Sequence, residues 1–206
     1  MASLLRKEDE KCADIVSSYL EDVFYSEVDD FKRINEKEMQ FKGIDVIFSI
    51  NNIKYVCDEK AAIRYVNKSL NTFAMELSFI DRSNMLHEGW LLDTSKVNNS
   101  FLFVWIDRAT KNILESKEDI IELEYCLVKK EAILDYLSEL GWSQEKLLQK
   151  STFIRENKFE NLGNITKNGC KFSYSPKLFE KPVNILISRD KLREISVLNR
   201  RIVNGD

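Results

Sequence analysis

The chain of 206 residues carries 31 Lys+Arg against 34 Asp+Glu, a formal net charge of −3, and is 44% hydrophobic and 32% charged with 6 Gly and 2 Pro. Apolar content this high at so low a net charge excludes a disordered tail, and the longest apolar run, the six residues Phe101–Ile106, is far short of the ~20 that span a bilayer. The charge also argues against a surface coated throughout by nucleic acid, while leaving room for one local basic cleft.

Residues 7–28 read as a helix, with Ile15, Val16, Tyr19, Leu20, Val23 and Phe24 at helical spacing between acidic residues. A polar stretch from Asp29 to Lys42 follows. Then the period changes: Ile44–Ile50 and Ile53–Cys57 are β-branched and aromatic runs joined by Asn51-Asn52, a pair that tolerates the positive φ of a tight hairpin. Residues 61–70 open as a short helix, Thr72–Ile80 suits strand or helix, and Ser83–Lys96 reads as a loop carrying His87 and Trp90. Phe101–Ile106 and Ile120–Val128 are buried-strand candidates. Lys129–Leu140 is an amphipathic helix stopped by Gly141, and Ser143 caps a further helix to Lys150. A turn or hairpin over Glu160–Phe172, a strand over Val183–Ile187 and a helix over Asp190–Val197 complete the reading. This order predicts an α/β fold, a mixed central β-sheet flanked by helices, with a C-terminal α+β elaboration.

Length fits a single domain over 1–206. The four cysteines (Cys12, Cys57, Cys126, Cys170) are scattered, and His87 is the one histidine, so a Cys/His zinc site is not expected. Met1-Ala-Ser-Leu-Leu runs straight into Arg6-Lys-Glu-Asp-Glu without a leader pattern. A reduced, cytoplasmic chain outside the membrane is the expectation.

The chemistry sits in the hairpin. Asp45 opens its first strand and Asp58 closes its second, so the fold-back brings two carboxylates to one end of the sheet. Alternation sends Asp58 and Lys60 to one face and Glu59 to the other. Two carboxylates can hold Mg2+ or Mn2+ while leaving positions for water and phosphate, and a neighbouring lysine can orient or deprotonate water. A backbone carbonyl at Glu59 would add a further oxygen.

This stretch resembles the core of the PD-(D/E)xK nuclease superfamily, the restriction-endonuclease-like fold. That pattern places an Asp at the head of a hairpin and an acidic residue, any residue and Lys on the next strand, with a helix before and a helix after. The matching positions are Asp45, Asp58, Glu59 as spacer and Lys60, and Ile44 stands where the name-giving proline would be. The resemblance covers about residues 10–106, leaving 107–206 to complete the sheet or to serve recognition or dimerisation. It implies a Mg2+-dependent (or Mn2+-dependent) nuclease that hydrolyses phosphodiester bonds, with DNA as partner and a homodimer as one assembly. Catalysis would fall to Asp45, Asp58 and Lys60, and metal binding to Asp45, Asp58 and the Glu59 carbonyl. Glu21, with Glu38 behind it, would be the additional glutamate of the preceding helix. Gln40 and Glu76 are auxiliary candidates, and Arg64 and Lys68 would touch the nucleic-acid backbone.

Plainer readings stand beside these. A bare D…DxK match arises by chance in a charged chain, which would leave an interaction or structural module, and a nuclease-fold module that binds nucleic acid or protein without cutting is the nearer alternative. Glu76 reads as a paired or partly exposed glutamate, His87 as a surface or packing residue, and Trp90 and Trp105 as core anchors. Arg189, Lys191, Arg193, Arg200 and Arg201 read as a solvated face or as phosphate contacts.

Overall fold

The computed structural model describes residues 2–157, 161–164 and 171–204. Its elements begin with helix α1 (Ala2–Val23), strand β1 (Asp29–Arg33), helix α2 (Lys37–Phe41) and the strands β2 (Val46–Ile50) and β3 (Ile53–Ala61). Strands β4 (Thr72–Ile80), β5 (Leu86–Glu88), β6 (Ser100–Ala109) and β7 (Ile120–Lys129) follow, then helices α3 (Lys130–Glu139) and α4 (Gln144–Glu156). The chain ends with β8 (Asn161–Asn164), β9 (Lys171–Tyr174), β10 (Val183–Ser188), helix α5 (Arg189–Glu194) and β11 (Leu198–Val203). The protein is α/β, with a mixed multi-strand sheet and flanking helices. No helix among the described residues is long and apolar enough to cross a membrane.

Two compact units divide the chain. The first takes Met1–Leu70, Asn98–Lys129 and Ser196–Asp206. Its sheet has the order β1-β2-β3-β6-β7-β11, antiparallel throughout except that β3 and β6 run parallel. Strands β7 and β11, both beyond residue 107, thus complete this sheet. Helix α1 lies on one face, where Cys12, Val16, Tyr19 and Leu20 join Val46, Phe48, Tyr55, Cys57, Leu102, Val104 and Leu127 in one core. Burying such side chains contributes roughly 1.5–3 kcal/mol each, which is why a helix with this apolar stripe is held here. On the other face Phe101, Phe103 and Trp105 are fully buried, their rings 5.7 and 6.5 Å apart in sequence order.

The second unit takes Asn71–Val97 and Lys130–Ile195. Its antiparallel sheet has the order β5-β4-β10-β9-β8, with α4 packed on β4 and β10 and α5 on β10. The ambiguous run Thr72–Ile80 is strand β4, because its partner β10 pairs with it from Thr72 to Ser78. Ser143 caps α4 as expected, accepting from the Lys146 N–H, but the helix runs on to Glu156. Gly141 stops α3 at φ 84°.

Two elements differ most from the expectations. Asp29–Arg33 is an edge strand on β2, and Leu198–Val203, after a shorter α5, is an edge strand on β7. Both are rich in charge and exposed on one side, the usual dress of a sheet edge. The helix expected from residue 61 is one 3-10 turn, Ile63–Tyr65. The turn or hairpin expected over Glu160–Phe172 lies largely outside the described residues, though β8 and β9 do pair antiparallel. Cys12, Cys57 and Cys126 are buried thiols outside any disulfide.

Candidate functional site: a carboxylate pair across a hairpin

The site is built by the β2–β3 hairpin. Asn51 and Asn52 adopt φ 51° and 64°, the two consecutive left-handed residues of a tight primed turn. That turn sets the register Ile50↔Ile53 through Val46↔Cys57, and one further step places Asp45 opposite Asp58. The Asp45 backbone is held on both sides: its N–H donates to the Cys57 carbonyl at 2.9 Å, and its carbonyl accepts from the Ile34 N–H at 2.8 Å. Strand β3 does not end at Asp58. Its parallel pairing with β6 from Cys57↔Ser100 to Ala61↔Val104 prolongs it, so Asp58 and Lys60 lie within the strand.

Ile44, where the motif's proline would stand, donates its N–H to the Met39 carbonyl at 3.1 Å and is buried. Proline has no such donor, so the departure from the literal pattern secures the chain between α2 and β2.

Asp45, Asp58 and Lys60 come together on the face away from α1. Asp58 is 5% exposed and accepts from Lys60 Nζ at 2.5 Å. Asp45 Oδ2 accepts from the Glu59 N–H at 2.8 Å, and its carboxyl lies within hydrogen-bonding reach of the Asp58 carboxyl. Burial first, and then the Asp58 charge, push the Asp45 carboxyl up to about 7, while Lys60 and the Glu59 N–H pull the other way. A pair of carboxylates with one ammonium between them is short of positive charge. A proton on Asp45 or a bound cation would supply it.

The Glu59 carboxylate points to the α1 side. It accepts from Ser17 Oγ at 2.9 Å, Tyr25 OH at 2.7 Å and Arg33 Nη1 at 2.8 Å. Arg33 also pairs with Glu21 through Nε and lies 5.8 Å from the Tyr25 ring centroid. Its guanidinium is held protonated: burial opposes the charge, but the Glu59 and Glu21 contacts outweigh it. Burial, reinforced by the Glu59 charge, raises the Tyr25 phenol well above its ordinary value.

The other candidates fall elsewhere. Glu21 joins Arg33 on the helix side of the sheet. Glu38 pairs with Lys42 along α2 at 3.3 Å, and Gln40 donates to the Ile34 carbonyl at 3.0 Å. Arg64 pairs with Asp9, and Lys68 Nζ lies 5.6 Å from the Tyr65 ring centroid. Glu76 belongs to the second unit, where with His87, Glu88, Trp90 and Asp93 it lines a cavity of about 470 Å³. Trp105 is a core residue, whereas Trp90 is half-buried at that cavity; His87 is exposed and 2.9 Å from Asp81. The C-terminal cations are engaged by acids: Lys191 with Glu194 at 2.6 Å, Arg193 with Asp190 at 2.6 Å, Arg200 with Glu27 at 2.7 Å and Arg201 with Glu122 at 2.5 Å.

Asp45 and Asp58 are the residues that could hold a hard divalent cation. No group of three or more His, Cys, Asp or Glu side chains among the described residues is placed to do so, which leaves two carboxylates and backbone oxygen as the donors. Their chemistry, oxygen ligands with a charge deficit, fits Mg2+ or Mn2+. The roles of Arg33, Tyr25 and Ser17 escape a reading of the sequence. One signal points toward them: Glu59 interrupts the core-facing side of β3 (Tyr55, Cys57, Ala61), and a carboxylate there needs a partner. No protein-family model, curated protein or solved structure matches the chain.

Proposed function

We propose that the chain is a metal-dependent nuclease that hydrolyses phosphodiester bonds, with DNA as substrate, on a restriction-endonuclease-like core. The observation that carries this reading is the meeting of Asp45 and Asp58 across the hairpin, with Lys60 bonded to Asp58 on the same face. The sheet supports it further: the strand bearing the acidic-x-Lys triplet is third in a run of antiparallel strands and pairs in parallel with the next, after a helix that covers one face. A single 3-10 turn stands where the motif's following helix would come.

Asp45 and Asp58 would hold the cation, which when bound supplies charge neutralisation and Lewis acidity toward the phosphate. Lys60, held by Asp58, would orient the attacking water and carry positive charge beside the scissile group.

The test is cleavage of duplex, branched and single-stranded DNA, and of RNA, with Mg2+ or Mn2+, comparing wild type with Asp58→Ala and Lys60→Ala. Each variant should lose roughly 10²–10⁴-fold in rate. Equal activity in all three proteins would sink the reading, and binding without cleavage by the wild type would favour a non-catalytic nucleic-acid-binding module.

A further inference from the structure

The geometry points to Glu59, the spacer of the acidic-x-Lys triplet, as a positioning residue that sets the Asp45 carboxylate through its own backbone N–H and is itself locked by Ser17, Tyr25 and Arg33. The inference rests on reading Asp45 and Asp58 as a cation site, but it concerns the opposite face of the sheet.

One residue carries two sets of bonds. Its N–H lies 2.8 Å from Asp45 Oδ2, which fixes one carboxylate oxygen. Its side chain accepts from three residues, Ser17 on α1, Tyr25 in the 3-10 turn Tyr25–Glu27 that follows it, and Arg33 on β1, at 2.7–2.9 Å, with a second, longer bond from Arg33 Nη2 at 3.4 Å. Two of those donors are neutral hydroxyls and one is a guanidinium, and charge-assisted bonds of this kind are about twice as strong as neutral ones. With its side chain tied to three elements, the peptide at residue 59 has little freedom to rotate, and the neighbouring side chains of Asp58 and Lys60 inherit that restraint.

A merely structural role explains this network less well. An ion pair taken out of water gains little over a well-packed apolar pair and is often less stable than one. Glu59 stands where Tyr55 and Cys57 continue an apolar core, so Leu or Val at 59 would satisfy packing. A carboxylate bonded to a guanidinium gives direction as well as contact. Groups behind a metal ligand hold it within a fraction of an ångström of its working geometry, and their removal typically weakens metal affinity 10–100-fold.

The experiment titrates Mn2+ into the full chain by calorimetry, for wild type, Glu59→Ala, Glu59→Gln and Tyr25→Phe, with a circular-dichroism melt of each. Hydrogen exchange of the residue-59 amide is followed by NMR without metal. Glu59→Ala should remain folded, bind Mn2+ at least tenfold more weakly and exchange that amide faster. Glu59→Gln, which keeps one acceptor oxygen, should recover part of both. Tyr25→Phe, which deletes only the 2.7 Å bond, should weaken Mn2+ several-fold and decides the matter if Glu59→Ala does not fold. Wild-type Mn2+ affinity and unchanged residue-59 exchange in the folded variants overturn the inference. Mn2+ binding by wild type that survives the Asp45→Ala, Asp58→Ala double substitution overturns the cation-site reading instead, and the exchange measurement then still decides whether Glu59 sets Asp45.

Discussion

At the scale of single residues, Asp45 sits where its charge is unwelcome. Its carboxyl is pushed from 3.8 up to about 7, by burial first and by Asp58 second. A group bound to its proton more tightly in the folded state contributes stability that is fully present below about pH 4 and is lost as pH rises through about 7. The difference in melting temperature between wild type and Asp45→Asn should therefore be small at pH 4.5 and grow up to pH 8, with the variant the more stable by a few kcal/mol at the upper end. Asn keeps an oxygen for the Glu59 N–H, so the comparison isolates the charge. Parallel melting curves across that range would refute the assignment. The meeting of Asp45 and Asp58 was legible in the sequence because a two-residue turn sets register, and register sets which side chains face each other. The partners of Glu59 were not, since Ser17, Tyr25 and Arg33 come from three other elements and no local pattern links them.

At the scale of elements, the hairpin turn does the most with the fewest residues. Asn51 and Asn52 both occupy left-handed backbone, a conformation that costs most L-residues roughly 1–2 kcal/mol and glycine almost nothing. Asn52→Gly should raise the melting temperature slightly, and the double change to Ala-Ala should lower stability by about 2 kcal/mol, both read from thermal or urea melts. A double-Ala protein as stable as wild type would mean that the turn does not set the register. The strongly patterned elements could be read because burial imposes a period on α1, β2, β3 and α3, and an unbroken apolar run (Phe101–Ile106, Tyr125–Val128) on the doubly buried β6 and β7. Strands β1 and β11 could not: the sequences DDFKR and LNRRIV keep their charges for the solvent side of a sheet edge and look like loops. Thr72–Ile80 carries the alternation of a strand, Phe73, Met75, Leu77 and Phe79 against Thr72, Ala74, Glu76 and Ser78, a period-two signal that identifies β4 once it is counted.

At the scale of the whole molecule, the first unit is closed by the last strand. β11 pairs with β7 from Leu198↔Leu127 to Val203↔Glu122. Beyond it, Asn204 accepts from Tyr19 OH at 2.8 Å and donates its N–H to the Ile121 carbonyl at 2.8 Å. Deleting residues 196–206 should uncover the hydrogen-bonding edge of β7, lower the melting temperature and shift the protein to larger species in size-exclusion chromatography. A monomer with an unchanged melt would show that β11 is dispensable.

The interleaving of the two units also orders events in time. The strands β2 and β3 can pair as soon as they are made, but β6 arrives only after Asn71–Val97, and β11 only after Lys130–Ile195. At the ~5–20 residues per second of translation, the exposed edge of β7 waits roughly 3–13 s for its partner. Throughout that interval the nascent chain presents an unpaired strand whose residues 122–128 are all buried in the finished protein, the kind of surface that holding chaperones bind. The turn that aligns the carboxylate pair is made by residue 61, but the segment from Asp58 to Ala61 gains its strand partner only when β6 is made, about forty residues later.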